Sequence, residues 1–355
     1  MLDVAIVGGG LIGLASALEL ARRGKKVCVV DGADPAGASW AAAGILGPQS
    51  EVHAPSPMLE LCRRSFALYP EFVRGLGSEV GFRPCGTLHL AFDEAGEGAL
   101  AEVRRWQTDA GLRIEERRTD ARLALFFPDE GQVDNRKLVV ALRDSCLRAG
   151  VELRRAVAAL GEAGAGAGAG LRLQASGLRP EAEEIEARQV VICAGSWSGK
   201  LAALPVTPVR GQALLLEVTP PECVVFGGGG YAVPRGGRTL IGATAEKVGF
   251  DARPTAEGRA FLVGVAAKLL PGAHPVVDHW AGLRPATPDQ LPLLGFLPSG
   301  VIVATGHYRN GVLLAPVSAQ IVAALVEGRP PPVDLAPFNP LRYAAVSAVA
   351  LEDRP

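Results

Sequence analysis

The chain has 355 residues, is 48% hydrophobic and carries a formal net charge of −1; this is enough apolar material for about two domains and excludes a wholly disordered chain. Lys plus Arg, 36, nearly cancels Asp plus Glu, 37, so nucleic acid and anionic membrane surfaces find little electrostatic support. The 6 cysteines are scattered without a C-x-x-C pair, which argues against a disulfide framework or a zinc site.

Residues 3–7, DVAIV, are an apolar run rich in β-branched side chains, the pattern of a buried parallel strand. Gly8-Gly9-Gly10-Leu11-Ile12-Gly13 follows and satisfies G-x-G-x-x-G through Gly8, Gly10 and Gly13. Helical spacing then places Leu11, Leu14, Ala15 and Leu18 on one face and Ser16, Glu19, Arg22 and Arg23 on the other, with Gly24 at the C′ position. Residues 26–30 predict a second strand that ends at Asp31, 18 residues after Gly13. In this register the pieces form a dinucleotide fingerprint. Gly8 permits the tight turn, Gly10 lets the backbone approach a pyrophosphate, and Gly13 lets helix and strand pack closely. The free N–H groups of the first helical turn meet the anion. Asp31 accepts hydrogen bonds from an adenosine ribose, favouring FAD or NAD over a 2′-phosphorylated nucleotide.

An NAD-type unit would continue promptly into another helix and strand. Residues 37–48, GASWAAAGILGP, instead predict a long loop whose main chain reaches a second anionic group or a flat ring. Ser56 and Pro57 read as N-cap and N1 of a helix to about Tyr69, where Pro70 breaks or kinks it. Residues 83–92 read as strands around a turn and 94–110 as a helix. Residues 134–149 form an amphipathic helix closed by Gly150, and 151–157 and 189–193 are strands. The low-complexity GEAGAGAGAG at 161–170 is expected to be a flexible hairpin connection or spacer. The glycines at 227–230 lack a strand-glycine-helix context and argue against a second nucleotide unit. From Val206 onward the pattern is strand-like; runs at 212–218, 231–234, 239–243 and 276–283 predict an antiparallel sheet in a second domain. A buried strand at 301–305 and a helix at 311–327 rejoin the first domain.

Three look-alikes are set aside. GSWSGK at 195–200 resembles a Walker loop but is one residue short, with Leu201 where Ser or Thr would hold magnesium. His274, Asp278 and His279 lack the spacing of metal ligands, so no metal is expected. The apolar N-terminus lacks a basic start and is interrupted by Asp3 and Glu19, and residues 312–326 are too short to span a bilayer. The expectation is a soluble cytoplasmic protein.

The N-terminal unit, the GASWAAAGIL loop and the GHYRNG segment at 306–311 resemble the FAD-dependent D-amino-acid oxidase superfamily. Within it the similarity is closest to the glycine oxidase family of thiamine thiazole biosynthesis, from residue 2 to about 343, and most specific in GHYRNGVLLAP at 306–316. With the element pattern, it implies an α/β fold: a discontinuous Rossmann-type FAD-binding domain with a second α+β substrate domain built on an antiparallel sheet. The expected boundaries are 1–80, 134–205 and 286–340 for the first, 81–133 and 206–285 for the second, and a tail at 341–355.

The cofactor contacts it implies are Gly8, Gly10, Leu11, Ile12, Gly13 and Asp31, then Ser39, Ala43, Gly44 and Leu46. Val157 is implied near the adenine end, followed by Ala194, Gly195 and Trp197, then Gly306, His307, Arg309, Asn310, Gly311, Val312 and Leu313. Residues 311–313 would begin a helix whose positive end stabilises negative charge on the flavin's pyrimidine side. His307 either faces the flavin or completes the turn.

An amino-acid carboxylate calls for the planar, permanently charged fork of arginine. Arg284 ends a strand in WAGLRP, and Arg309 sits in a glycine-bounded turn. The resemblance implies that Arg284 makes the two-pronged carboxylate contact and Arg309 supports it; a structural salt bridge is the plainer alternative. Tyr231, in YAVPR, is a pocket-lining or a core aromatic in equal measure. Gly229 and Gly230 stand where the family can carry larger side chains, which leaves pocket size open.

The implied reaction is FAD-dependent oxidative deamination of glycine, or of small amines such as sarcosine or small D-amino acids. The products are glyoxylate or a 2-oxo acid, ammonia and, with dioxygen, hydrogen peroxide. No protein nucleophile is required, and none is singled out. Related sarcosine oxidases attach flavin through a cysteine in the segment corresponding to 283–289, where this chain has none, so the resemblance implies a non-covalent FAD. The alternative is a D-amino-acid or secondary-amine dehydrogenase using another acceptor; a nucleotide-binding regulator without turnover is a rival of a different class. The expected partners are a small amino acid and dioxygen, with neither nucleic acid nor membrane, and the resemblance implies a homo-oligomer.

Overall fold

The computed structural model describes residues 1–32, 36–52, 54–160, 171–177 and 183–343. In chain order come β1 (Leu2–Val7), α1 (Leu11–Arg22), β2 (Val27–Asp31), α2 (Ala38–Ala41), β3 (Ile45–Leu46), α3 (Pro57–Arg74), β4 (Thr87–Ala91) and α4 (Glu94–Asp109). Next are β5 (Glu115–Glu116), β6 (Leu123–Phe127), β7 (Gly131–Gln132), α5 (Asn135–Arg148), β8 (Glu152–Leu160), β9 (Leu171–Gly177) and β10 (Glu183–Ile192). The remainder is α6 (Ser198–Ala202), β11 (Thr207–Leu216), β12 (Val224–Gly227), β13 (Gly230–Arg235), β14 (Arg238–Gly242), α7 (Ala256–Leu269), β15 (Val276–Ala286), β16 (Leu293–Phe296), β17 (Ile302–Thr305) and α8 (Ala315–Val326).

The chain divides into two compact units, the first being Met1–Ser39, Val139–Pro208 and Arg284–Pro355, and the second Trp40–Leu138 and Val209–Leu283. Residues 40–80 thus pack in unit 2. Unit 1 is built on a seven-stranded sheet. β1 pairs in parallel with β2 and β10, β2 with β8, and β10 with β17, while β16 adds antiparallel to β17. A parallel sheet is covered on both faces where its strands are buried, and β1, β2, β17 and the end of β10 are accordingly apolar. Ala5, Val7, Cys28, Val30, Ile192 and Val303 share one buried cluster, and α1 packs beside α8. β9 pairs antiparallel with both β8 and β10. The GEAGAGAGAG segment between β8 and β9 lies outside the described residues, as does the tail beyond Tyr343.

Unit 2 centres on an eight-stranded sheet in the order β15-β11-β14-β13-β12-β4-β6-β5. It is mostly antiparallel, with a parallel pairing of β12 and β4. Because strand side chains alternate, successive residues serve different cores. Leu214, Leu216, Ala232 and Ile241 pack with Leu262, Val265 and Ala266 of α7. Ala213, Val233 and Leu240 pack on the opposite face with Ala43, Tyr231 and Trp280.

Four local expectations differ from the structure. The 37–48 segment contains α2 and β3, not an uninterrupted loop. α3 runs through Pro70 to Arg74; buried Tyr69 packs edge-on against Phe72 across the proline, which costs the helix a backbone bond but not its packing. Residues 83–92 hold the single strand β4, and the C-terminal helix starts at Ala315, with Pro316 in its first turn where a missing N–H costs nothing. α7 had no sequence-based counterpart: its buried face is Gly258, Leu262, Val265 and Ala266, but Phe261 and Val263 stand exposed among Glu257, Arg259 and Lys268 on the other side, which blurs the helical period. Among the described residues no helix is long and apolar enough to cross a membrane.

Candidate functional site

In unit 1 the β1–α1 turn leaves no room for side chains. Gly8 has φ +110°, and a Cβ there would stand 2.4 Å from the Cys193 carbonyl oxygen. A Cβ on Gly13 would lie 1.9 Å from the Gly8 oxygen, and one on Gly9 would lie 2.9 Å from the Asp31 side chain. Gly10 is the extended N-cap of α1, with no side-chain cap of its own; instead Ser39 Oγ accepts the Leu11 N–H at 2.9 Å. Apart from the Leu11 N–H, the first turn of α1 presents backbone donors to an anion, and Asp31 closes β2 beside it. This is a cradle that a dinucleotide fits and any added Cβ would fill. Val157 is 63% exposed and stands 3.9 Å from where a Cβ on Gly32 would be.

Gly195 follows β10 at φ +53°. Thr305 Oγ1 donates to the Gly195 carbonyl at 3.3 Å and lies 2.8 Å from Ser198 Oγ. Ala194 packs against the Gly8 turn, and Trp197 ends the short turn of 3-10 helix Gly195–Trp197. The 306–313 segment thus begins at the same edge of the sheet. Gly306 has φ +74°, and a Cβ there would meet Thr287 Cγ2 at 2.7 Å. The His307 side chain is buried with Nε2 2.9 Å from Ser318 Oγ; burial pushes its imidazole down to about 3, so the ring is neutral. Tyr308 is left-handed at φ +46°, and its N–H donates to the Pro285 carbonyl at 2.9 Å. That bond brings together the segments carrying half-buried Arg284 and exposed Arg309. Asn310 donates its N–H to the His307 carbonyl, and Gly311, Val312 and Leu313 form the turns that lead into α8.

In unit 2 the small-residue segment is held by its carbonyls. Trp40 O accepts from Asn135 Nδ2 at 3.1 Å and Arg136 Nε at 3.2 Å, and Ala41 O from Trp280 Nε1 at 3.0 Å. Ala43 O accepts from Arg235 Nη2 at 2.6 Å, and Gly44 O from the Val133 N–H at 2.8 Å. The Arg136 guanidinium lies over the Trp280 and Trp40 rings, 4.5 and 5.4 Å from their centroids. Buried Leu46 pairs across β3–β7 with Gly131. Just before β7, Glu130 is fully buried and accepts from the Gln49 and Ser50 N–H groups and from the Ser50 and Thr87 hydroxyls.

Tyr231 lies on the sheet face opposite α7, edge-on to Phe226 at 5.7 Å. Its ring covers Gly242, its cross-strand partner; a Cβ there would sit 2.3 Å from the ring. The glycines before it make a tight β12–β13 hairpin: Gly227 pairs with Gly230, and Gly228 and Gly229 take φ +61° and +89°. Cβ atoms on Gly228 and Gly229 would meet Lys268 and Phe261 of α7, away from the Tyr231 face. These glycines therefore serve the turn. Arg235, Glu130, Trp280 and Arg136 were not singled out from sequence. The signal for Arg235 was its place in YAVPR, in alternation with Tyr231 on one strand face.

A family profile described as DAO, FAD dependent oxidoreductase, matches residues 3–325. The bifunctional protein ThiO/ThiG of Synechocystis sp. is 38% identical over 360 residues, covering 96% of this chain and 54% of that protein. The chain thus spans about half the length of that relative. Glycine oxidase of Geobacillus kaustophilus is 37% identical over 374 residues, 96% of this chain and 97% of its own. A crystal structure of glycine oxidase from that organism matches with a TM-score of 0.89 at 35% identity, over 96% of this chain and 98% of the other. FAD is the cofactor of this family, and the glycine cradle of unit 1 fits it. The chain belongs to the DAO family of FAD-dependent oxidoreductases.

Proposed function

We propose that the protein oxidatively deaminates glycine, and small amines such as sarcosine or small D-amino acids, with dioxygen as the acceptor. For glycine the balance is glycine, water and dioxygen to glyoxylate, ammonia and hydrogen peroxide. The similarity to ThiO/ThiG and glycine oxidase supports a place in thiamine biosynthesis. The observation that carries the amino-acid reading is the backbone bond between Tyr308 and Pro285, which sets two arginines in adjoining segments.

When bound, the flavin supplies the electron-accepting chemistry. Arg284 takes the substrate carboxylate in a two-pronged contact, and Arg309 supports it. Their fixed positive charges disfavour a neighbouring ammonium, and so favour the neutral amine that oxidation needs. Tyr231 lines the pocket. Gly8, Gly10, Leu11, Ile12 and Gly13 hold the pyrophosphate, Asp31 the ribose and Val157 the adenine end. Ser39, Ala43, Gly44, Leu46, Ala194, Gly195, Trp197 and the 306–313 segment complete the cofactor contacts, His307 through its backbone because its ring is committed to Ser318. The FAD is non-covalent. The protein acts in the cytoplasm as a homo-oligomer.

The test is the visible spectrum of the purified protein with glycine in the absence of air. A yellow protein that bleaches, and regains colour when air is admitted, is the expected result. A yellow protein that stays oxidised would overturn glycine as substrate; slow recovery in air would point to another acceptor.

A further inference from the structure

Arg235 is a largely buried arginine of unit 2 with no task in the reaction as assigned. It ends β13, four residues beyond Tyr231 and on the same strand face. One prong, Nη2, donates to the Ala43 carbonyl at 2.6 Å; the other, Nη1, donates to the Asp134 carboxylate at 2.7 Å and to the Asn135 side-chain oxygen at 3.0 Å. The Arg235 and Asp134 side chains are only 13% and 19% exposed, so water does little to loosen the arrangement. Arg235 Nε finds no acceptor among the described residues, and a salt bridge alone has no need of the second prong.

The consequence lies in the Ala43–Gly44 peptide. A trans peptide is planar, so its N–H points opposite to its C=O. With the Ala43 carbonyl fixed on Arg235, the Gly44 N–H is aimed away from Arg235. The Ala41 carbonyl on Trp280 Nε1 aims the Ala42 N–H in the same manner. Gly44 is the residue that permits this path: it has φ +75°, and a Cβ there would lie 1.9 Å from the Val133 oxygen and 3.4 Å from Arg235 Nη2.

We infer that Arg235 is a positioning residue of the flavin site, which holds the Ala43 carbonyl so that the 43–46 backbone is set to receive the cofactor. This rests on the assignment of Ala43, Gly44 and Leu46 as FAD contacts. Arginine is required because one planar fork must serve a main-chain oxygen and a carboxylate in different directions; a lysine ammonium is a point charge that keeps the ion pair and loses the geometry.

The test compares Arg235→Lys and Asp134→Asn with the wild type. FAD affinity of the apoprotein, apoprotein Tm and the anaerobic rate of flavin reduction at saturating glycine are measured for each. Arg235→Lys is expected to weaken FAD binding by ~10-fold, the equivalent of one charge-assisted hydrogen bond, and to slow the limiting reduction rate. Asp134→Asn is expected to lower Tm while leaving FAD affinity within about threefold, because the Ala43 contact is retained. If Arg235→Lys binds FAD like the wild type, or if both variants lose FAD affinity only in step with Tm, the role is structural and the inference fails. If Arg235→Lys does not fold, the charge-neutral pair Arg235→Met with Asp134→Asn strands no ion and is judged by the same FAD loss at retained Tm. Should the wild type hold FAD but not bleach with glycine, the substrate assignment fails, and the FAD affinities still decide for or against Arg235.

Discussion

The Tyr308 N–H donates to the Pro285 carbonyl at 2.9 Å. Arg284 and Arg309 each stand one residue from that bond. Tyr308 pays for it with a left-handed φ of +46°, uncommon for a side chain of its size. A turn held in this way brings two cationic segments together without relying on either guanidinium to do it.

If Arg284 takes the carboxylate, Arg284→Ala should raise the glycine KM by ~10²-fold, the loss of a charge-assisted pair worth about 3 kcal/mol. Flavin content and the visible spectrum should be retained, since the turn is tied by backbone. Steady-state kinetics of the FAD-loaded variant check this; an unchanged KM would move the carboxylate site elsewhere.

Gly13→Ala places a methyl 1.9 Å from the Gly8 oxygen, and backbone rather than a flexible side chain must shift. The β1–α1 turn would open at the pyrophosphate cradle, with FAD affinity falling ~10²-fold or more and overpacking costing ~1–3 kcal/mol of stability. The flavin-to-protein ratio after purification and apoprotein titration with FAD are the measurements. A variant as yellow as the wild type would place the pyrophosphate away from this turn.

Glu130 predicts a pH dependence of stability. Burial pushes its carboxyl from 4.5 to about 7, and hydrogen bonds from Ser50, Thr87 and Gln49 pull it only part of the way back. The folded chain therefore holds this proton more tightly than the unfolded chain. The resulting stability is fully present below 4.5 and is lost as pH rises through about 7, a loss of about 3 kcal/mol. Tm measured from mildly acidic to mildly alkaline pH should contain a falling component through neutrality, and Glu130→Gln should remove it. A Gln oxygen still accepts the Ser50 N–H, while its amide donates to hydroxyls that can turn. Persistence of the same fall in Glu130→Gln would assign it to another group.

The nucleotide-binding start was legible in sequence because each of its signals is local. Gly8 answers to the positive φ of the tight turn, Gly13 to the Gly8 oxygen within that same turn, Gly24 to the end of α1, and the apolar run of β1 to a buried parallel strand. Arginines 284 and 309 were legible as chemistry; their shared task came from a resemblance, since the bond that joins their segments runs between Pro285 and Tyr308, outside any one helical or strand window. α7 escaped notice because apolar Phe261 and Val263 on its exposed face blur the period set by the buried Leu262, Val265 and Ala266.

By itself, then, the sequence determined the βαβ start, the residue types a flavin and an amino acid require, and most strands and helices. Those depend on sterics and periodicity within a few residues. Only the tertiary structure decided what holds the 40–50 segment: Arg235 reaches Ala43 across 192 residues, and Glu130 reaches Gln49 and Ser50 across 81 and 80. Such partners are chosen by sheet register and burial. A buried carbonyl or carboxylate must be matched by whichever donor the fold brings to it, and that donor's position in the chain carries no local mark.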